Sequence, residues 1–456
     1  MTDPKIHLFG LVLFCAGTAS GAGGAAQAGP DTLVLAQADA AVPQRPGRPA
    51  GMRVQRPVSR FGIDDVLLEA GRLSDDAPEA RSVWAWRVSP YFLWQPSRAW
   101  EFRAGVRLDG AGQSGGAVDY SRVRADLADT YARYRDGDMR LTLGAQTIVW
   151  GRVDALPVID RVSRVDLSRF VLDDLAERRR AHWALRWEQT FGDDLKLDAV
   201  VLPKFRPARL PSADSVWHPI NRLTGRIIGI EPDPALAALV QNAPLRHDDH
   251  GAGGAALRLT RTGGAMDWGV TLARTRQPLP YVRLDSGAPA LTVTHPYNNF
   301  IGVDAETNAW GATWRAELGY SDGVPATRPT GQTIETSAVE AVAGVEVFPG
   351  GKNTRLTLQL AARSLRANGP LLELKDYVGV NGEIESTFAQ GRWRASLRFM
   401  SGLNVHDVYV APKLSYLGWE PHEIYIAGRH FAGEGRALGG FHRDHSMVAV
   451  GLRTRF

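Results

Sequence analysis

From Ser82 to the last residue the chain repeats one device: segments of about ten residues in which apolar and polar side chains alternate. Ser82–Trp94 sets Trp84, Trp86, Val88, Phe92 and Trp94 on one parity and Arg87, Ser89 and Tyr91 on the other. Trp100–Asp109 opposes Trp100, Phe102, Ala104, Val106 and Leu108 to Glu101, Arg103, Arg107 and Asp109. Arg140–Trp150, His182–Phe191, Trp310–Tyr320, Val339–Phe348, Arg355–Arg363 and Trp393–Met400 follow the same plan, and Ser446–Phe456 ends it on an aromatic residue. Successive side chains of a strand point to opposite faces, so this period confines the chain to sheet with one apolar face.

A soluble sandwich would show the same alternation. Three further features favour a transmembrane barrel: a secretory signal, the aromatic C-terminal residue, and short turns alternating with long loops. Lys5 and His7 precede the apolar run Leu8–Ala16, and Ala26-Gln27-Ala28 offers a cleavage site. The reading is therefore a signal peptide over 1–28, with cleavage as late as Ala38, then a Pro/Arg-rich periplasmic tether over 39–59 and a barrel over 60–456. At 44 % hydrophobic the chain is not disordered along its length, and past its first forty residues no 18-residue uncharged apolar stretch could span as a helix. The 13 Trp, 15 Phe and 11 Tyr suit aromatic belts on a lipid-facing wall. Cys15 is the lone cysteine and lies in the signal, so disulfides, thiolate zinc sites and cysteine nucleophiles drop out. A net charge of +4 is too small to argue for nucleic acid.

Short connections at 95–98, 135–138, 192–194, 262–264, 349–353, 390–392 and 418–421 alternate with long ones at about 151–180, 203–252, 321–337, 366–380 and 431–445. Short turns belong in the periplasm, which makes Ser82–Trp94 a descending strand and demands an ascending one before it. Phe61–Leu73 is the candidate, and its spacing suits a strand or a plug helix equally. With it the all-β architecture is an antiparallel barrel of eighteen strands, sixteen being the alternative. Such a barrel is too wide for wall side chains to fill.

The minority parity places Arg103, Arg107, Arg122, Arg124, Arg186, Arg315, Arg355, Arg394 and Arg398 toward the lumen, with fewer acids, among them Glu101, Asp109, Glu317 and Glu340. A net basic, ion-paired lumen favours anionic solutes. The segment 151–180 carries Asp154, Asp160, Arg161, Arg164, Asp166, Arg169, Asp173, Asp174, Glu177, Arg178, Arg179 and Arg180 without strand alternation. Phe170, Val171 and Leu175 suggest a short helix in it. A loop so charged either caps the mouth or folds inward to pair with the wall. The loop from Pro203 to Ala252 is stiffened by Pro203, Pro207, Pro211 and Pro219, and Ile227–Val240 reads as a lid or mouth-side helix. His247–His250 with His442, Asp444 and His445 reads as a solvated rim rather than a metal site. No nucleophile, base and acid converge on one face, so no enzyme activity, cofactor or metal is expected.

Gly144-x-Gln146-x-x-x-Trp150-Gly151, then Asp154, the Asp160–Arg180 run and Pro203-x-Phe205-Arg206-Pro207, resemble a family of functionally uncharacterised Gram-negative outer-membrane barrels related to alginate-export porins and often encoded beside lipid-exporting pumps. Ala145 departs from that pattern, where an Arg before the Gln is frequent. The resemblance implies eighteen strands, an inward-folded loop and a transport role. The expected function is an outer-membrane channel passing an anionic or amphiphilic solute, gated by 151–180. The alternative is a barrel component or docking platform of a trans-envelope lipid exporter without free aqueous conductance. Expected partners are outer-membrane lipid and lipopolysaccharide, the solute itself, and an inner-membrane pump or periplasmic carrier.

Overall fold

The computed structural model describes residues 57–456 apart from 154–155, 249, 286–289 and 352. The expected signal peptide, Cys15, Asp154 and the tether up to residue 56 lie outside the described residues. Strand begins at Val58, two residues ahead of the expected barrel boundary.

Eighteen antiparallel strands close on themselves. In chain order they are β1 (Val58–Leu73), β2 (Ser82–Gln95), β3 (Trp100–Ser114), β4 (Tyr120–Leu127 continued by Thr130–Asp136), β5 (Met139–Gln146), β6 (His182–Phe191), β7 (Leu195–Leu202), β8 (Gly254–Arg261) and β9 (Asp267–Arg276). The circuit continues with β10 (Tyr297–Ala309), β11 (Ala312–Thr327), β12 (Thr333–Val347), β13 (Thr354–Leu365), β14 (Asp376–Phe388), β15 (Trp393–Gly402), β16 (Asp407–Trp419), β17 (His422–Gly433) and β18 (Met447–Arg455). Both pieces of β4 pair with β3, so the break at Ala128–Asp129 is an irregularity in one strand. Closure comes from β1 against β18, with Leu68 opposite Leu452 and Leu73 opposite Met447. Phe61–Leu73 is thus a strand, and the plug-helix alternative falls: pairing to β2 on one side and β18 on the other leaves its backbone groups no other use.

All connections at one end are short, from 310–311 to 348–353, whereas the opposite end carries 74–81, 147–181, 203–253, 277–296 and 434–446. Two expectations need correction. Residues 321–337 are not a long loop, because Pro325–Thr327 pair with Thr333–Glu335 and leave only 328–332 as the turn. Trp310 is not in a strand: with Gly311 it makes the tight turn between β10 and β11, at φ 53°, and is 92 % exposed. The short-turn end carries outward aromatics that meet in pairs, Trp94 stacked on Phe102 at 5.1 Å and Trp393 edge-on to Tyr416 at 5.1 Å.

The core of the molecule is inside the barrel. Near the long-loop end Leu73, Met400, Tyr409, Phe431 and Met447 of the wall pack on Phe170, Leu172, Val216, Trp217 and Ile228 of the loops. Loops 203–253 and 277–296 are joined by a three-stranded sheet of Leu245–Asp248, Ala290–Thr294 and Tyr281–Asp285. The expected mouth-side helix forms over Pro234–Asn242, capped by Asp233, whose carboxylate accepts from the Leu236 amide. His442 and His445 belong to this core and not to a solvated rim: they are 0 % and 3 % exposed, and the His445 Nε2 lies 3.0 Å from Glu79. Burial alone would raise the Glu79 carboxyl, but hydrogen bonds from His445 and Asn221 hold it below the usual carboxylate range.

Candidate functional site: a plug tied to the lumen wall

Loop 147–181 folds into the lumen, and its two halves are held by different forces. The first half leaves β5 through Gln146, whose amide donates to the carbonyls of Thr142 (3.3 Å) and Ala184 (3.2 Å). Trp150 donates its indole N–H to Asp198 at 2.9 Å, on β7, two strands along the wall. Ile148, Val153, Leu156, Val158, Ile159 and Val162 then pack against small or aromatic wall residues, Ala184, Ala256, Phe300, Val342 and Ala361.

One carboxylate pins this half. Glu317 of β11 accepts from the amides of Arg152 (2.5 Å) and Val153 (3.0 Å) with Oε1, and from Val158 (2.7 Å) and Ile159 (3.0 Å) with Oε2. The loop can present two pairs of N–H groups to one acid because Gly151 adopts φ +94°, a conformation other residues rarely take. A Cβ at Gly151 would also stand 2.5 Å from Glu317 Oε1. The wall yields space in the same way: a Cβ at Gly302 would meet Ile159, and one at Gly319 would meet Val158 and Phe300. Arg152 reaches Asp304 (2.6 Å), and Arg161 lies over the Phe300 ring at 4.1 Å while pairing with Glu340.

The second half is ionic. Arg164 pairs with Asp126 (2.7 Å) and donates to the Pro207 carbonyl (2.8 Å). Asp166 meets Arg107 (3.1 Å) and Arg180 (3.4 Å), and Arg180 also meets Asp109 (3.3 Å) and Asp126 (3.4 Å). Arg169 bridges Glu69 (2.9 Å) and Asp173 (2.6 Å); Asp173 also takes the fully buried Arg87 at 2.7 Å. Asp174 pairs with Arg398, and Glu177 with Arg453 and Arg455. Asp160 stays within the plug, near Ser163 and 3.7 Å from Arg179. Arg178 is wholly buried, and its carbonyl accepts from the Asp166 amide. The expected helix is shorter and later than its spacing suggested: only Leu175–Arg178 is helical, because Phe170 sits in a turn at φ 52°.

The wall arginines divide accordingly. Arg107 and Arg398 hold the plug; Arg124 donates to the Leu210 carbonyl of the second loop (3.2 Å); Arg103 pairs with Asp64 (2.7 Å) beside Tyr91. Arg186 pairs with Asp198 (2.6 Å), Arg315 with Glu306 (2.8 Å), Arg355 with Glu383 (2.9 Å) and Arg394 with Glu423 (3.5 Å), all along the wall. Arg122 is exposed and, among the described residues, takes no part in this network. In the second loop Arg206 pairs with Asp126, and Phe205 is buried against the His295 ring at 5.0 Å. Parity reasoning placed Glu317 inward without seeing its four amides, and it missed Asp64, Asp65 and Glu69 because their strand was unassigned. Between the plug's second half, β1 and β14–β18 a small crevice of about 70 Å³ remains, lined by both signs of charge.

A family model described as protein of unknown function, DUF1302, matches residues 71–411. No curated protein sequence matches the chain. Among solved structures, it is similar to Acinetobacter baumannii OccAB4 at 9 % identity, covering 88 % of this chain and 98 % of that one, TM-score 0.46. Pseudomonas aeruginosa OccK11 (OpdR) gives 12 % identity, 87 % and 95 % coverage and 0.46. In-vitro folded OmpT, an outer membrane protein of Vibrio cholerae, gives 11 %, 89 % and 99 %, and 0.43.

Proposed function

For a chain that belongs to the DUF1302 family, we propose an outer-membrane channel or transport protein of a Gram-negative cell, whose solute passes the lumen when the 147–181 plug is displaced. The observation that carries this reading is the plug itself: a closed barrel holds an inward-folded loop whose second half is fastened by exchangeable ion pairs. An apolar outer wall with a girdle of aromatics at the short-turn end suits lipid contact, and lipopolysaccharide at the long-loop rim is a proposed neighbour. Buried arginines from β2, β3, β15 and β18 favour an anionic solute, and the apolar core beyond them favours one with a tail. The proposal assigns no catalytic step. Deleting 155–175 and recording planar-bilayer currents tests it: conductance should rise severalfold with a changed ion preference, and an unchanged trace would sink the gating idea.

One observation favours a second reading, a component of a lipid exporter served by an inner-membrane pump or periplasmic carrier. The long-loop half of the lumen holds an apolar core of wall and loop side chains. On that reading neither the intact protein nor the deletion carries current, and acyl lipid copurifies with the barrel in native mass spectra.

A further inference from the structure

The wall acids and the plug acids stand in different company. Glu423 is taken by Lys413 (2.7 Å) and Ser415 (2.6 Å), and one oxygen of Glu383 by Arg355 (2.9 Å), all within the wall. Arg398, Arg453 and Arg455 instead receive carboxylates from the plug: Asp174 on Arg398, and Glu177 on Arg453 and Arg455, the last at 2.7 Å. Of the wall acids, Asp65 lies 3.5 Å from Arg453, Glu383 stands opposite Arg398 across β14–β15 and Glu423 stands opposite Arg453 across β17–β18. All three arginines line the crevice of about 70 Å³, which also has apolar lining from Leu67, Leu172, Ala411 and Ala427.

We propose that these three arginines form a binding site for an anionic amphiphile, a carboxylate or phosphate carrying a short apolar tail, and that Asp174 and Glu177 occupy it as internal competitors. The proposal rests on the transport reading and names its solute class. Guanidinium groups bind carboxylate and phosphate in the same paired geometry, so the plug acids and a solute head are interchangeable at the site. The tail lies against Leu67, Ala411 and Ala427 as that half of the plug withdraws. A solute that takes the arginines removes these counterions of the plug, leaving Asp174 and Glu177 largely buried without those partners, which drives that half of the plug outward. An empty site keeps the plug shut, and an occupied one opens it.

The experiment is calorimetric titration of the full-length protein in detergent with hexyl phosphate, hexanoate, inorganic phosphate and hexanol. Hexyl phosphate and hexanoate should bind, inorganic phosphate at least tenfold more weakly, and hexanol not at all. The double variant Asp174→Asn/Glu177→Gln should bind hexyl phosphate at least tenfold more tightly, because the competitors are gone. Arg455→Gln should bind at least fivefold more weakly; its side chain is 46 % exposed, so the barrel tolerates the change. Unchanged or weaker binding by the double variant overturns the proposal, and equal binding of inorganic phosphate overturns the amphiphile class. Tight, competitor-sensitive binding with no current from any variant would leave this site standing while the channel reading fails; a gated current without such binding would do the reverse.

Discussion

The two halves of the plug differ in what holds them, although they are consecutive in one loop. Residues 148–162 are fastened by apolar contacts cut to glycine-sized gaps and by four amides on one carboxylate, whereas 164–180 is fastened mainly by ion pairs, with Leu167, Phe170, Val171 and Leu172 joining the mouth-side core. Close packing rewards one arrangement and penalises every displacement. Buried ion pairs roughly repay their own desolvation, so they fix which groups meet more than they add stability. The first half is therefore the anchor and the second the part that can exchange partners.

The largest expected effect tests the anchor. Glu317→Ala strips four buried amides of their acceptor, at about 1–3 kcal/mol for each group left unsatisfied. Hydrogen-exchange protection over 152–159 should fall by at least about a hundredfold while the barrel strands keep theirs. If protection over 164–180 collapses equally, the halves are one unit and the contrast is broken.

Next is Gly319→Val, which pushes a branched side chain into the space of Val158 and Phe300. Overpacking of that kind costs about 1–3 kcal/mol. It should loosen 156–162 by about ten- to a hundredfold in exchange rate and leave the pairing at Asp174 and Glu177 intact. Raising salt to 1 M is the converse and smaller perturbation. It should speed exchange in 164–180 by less than about tenfold, since buried pairs are only partly screened, and leave 148–162 unmoved.

How far the sequence foretells this arrangement follows from the same physics. Period two reports which face a residue takes, so the strands, the inward arginines and the inward Glu317 were legible, as was the charge of the 151–180 loop. Alternation does not report which inward acid meets which loop. Glu317 looks like any wall acid, and the one hint, Gly151 and Gly319, has meaning only once β11 and the loop are seen together. Asp65 and Glu69 were hidden because FGIDDVLLEAGRL has apolar spacing shared by helix and strand, and only barrel closure resolves it. The apolar core at the mouth was least legible: His442, His445 and Trp217 are scattered over two loops, and a loop sequence carries no period to bring them together.

The smallest effect lies outside both halves, where loop 366–375 touches the second loop through the bridge between Ile230 and Glu373. Glu373 is 5 % exposed; its Oε1 accepts from the Thr327 amide at 2.9 Å, and burial pushes its carboxyl up to about 7, against the pull of Arg363. A carboxyl whose folded pKa exceeds its unfolded one keeps an extra proton only in the fold. Its contribution to stability is therefore whole below about 4.5 and is lost as pH climbs through about 7. Exchange at Thr327 and over 371–373 should quicken between pH 5 and pH 8, by up to about tenfold per unit at the steepest point, beyond the intrinsic chemistry of exchange. Glu373→Gln should flatten that dependence without touching 148–180. A pH response that spreads into the plug in the parent but not in the variant would instead make the mouth and the plug one mechanical element, and the independence of the charged half would have to be given up.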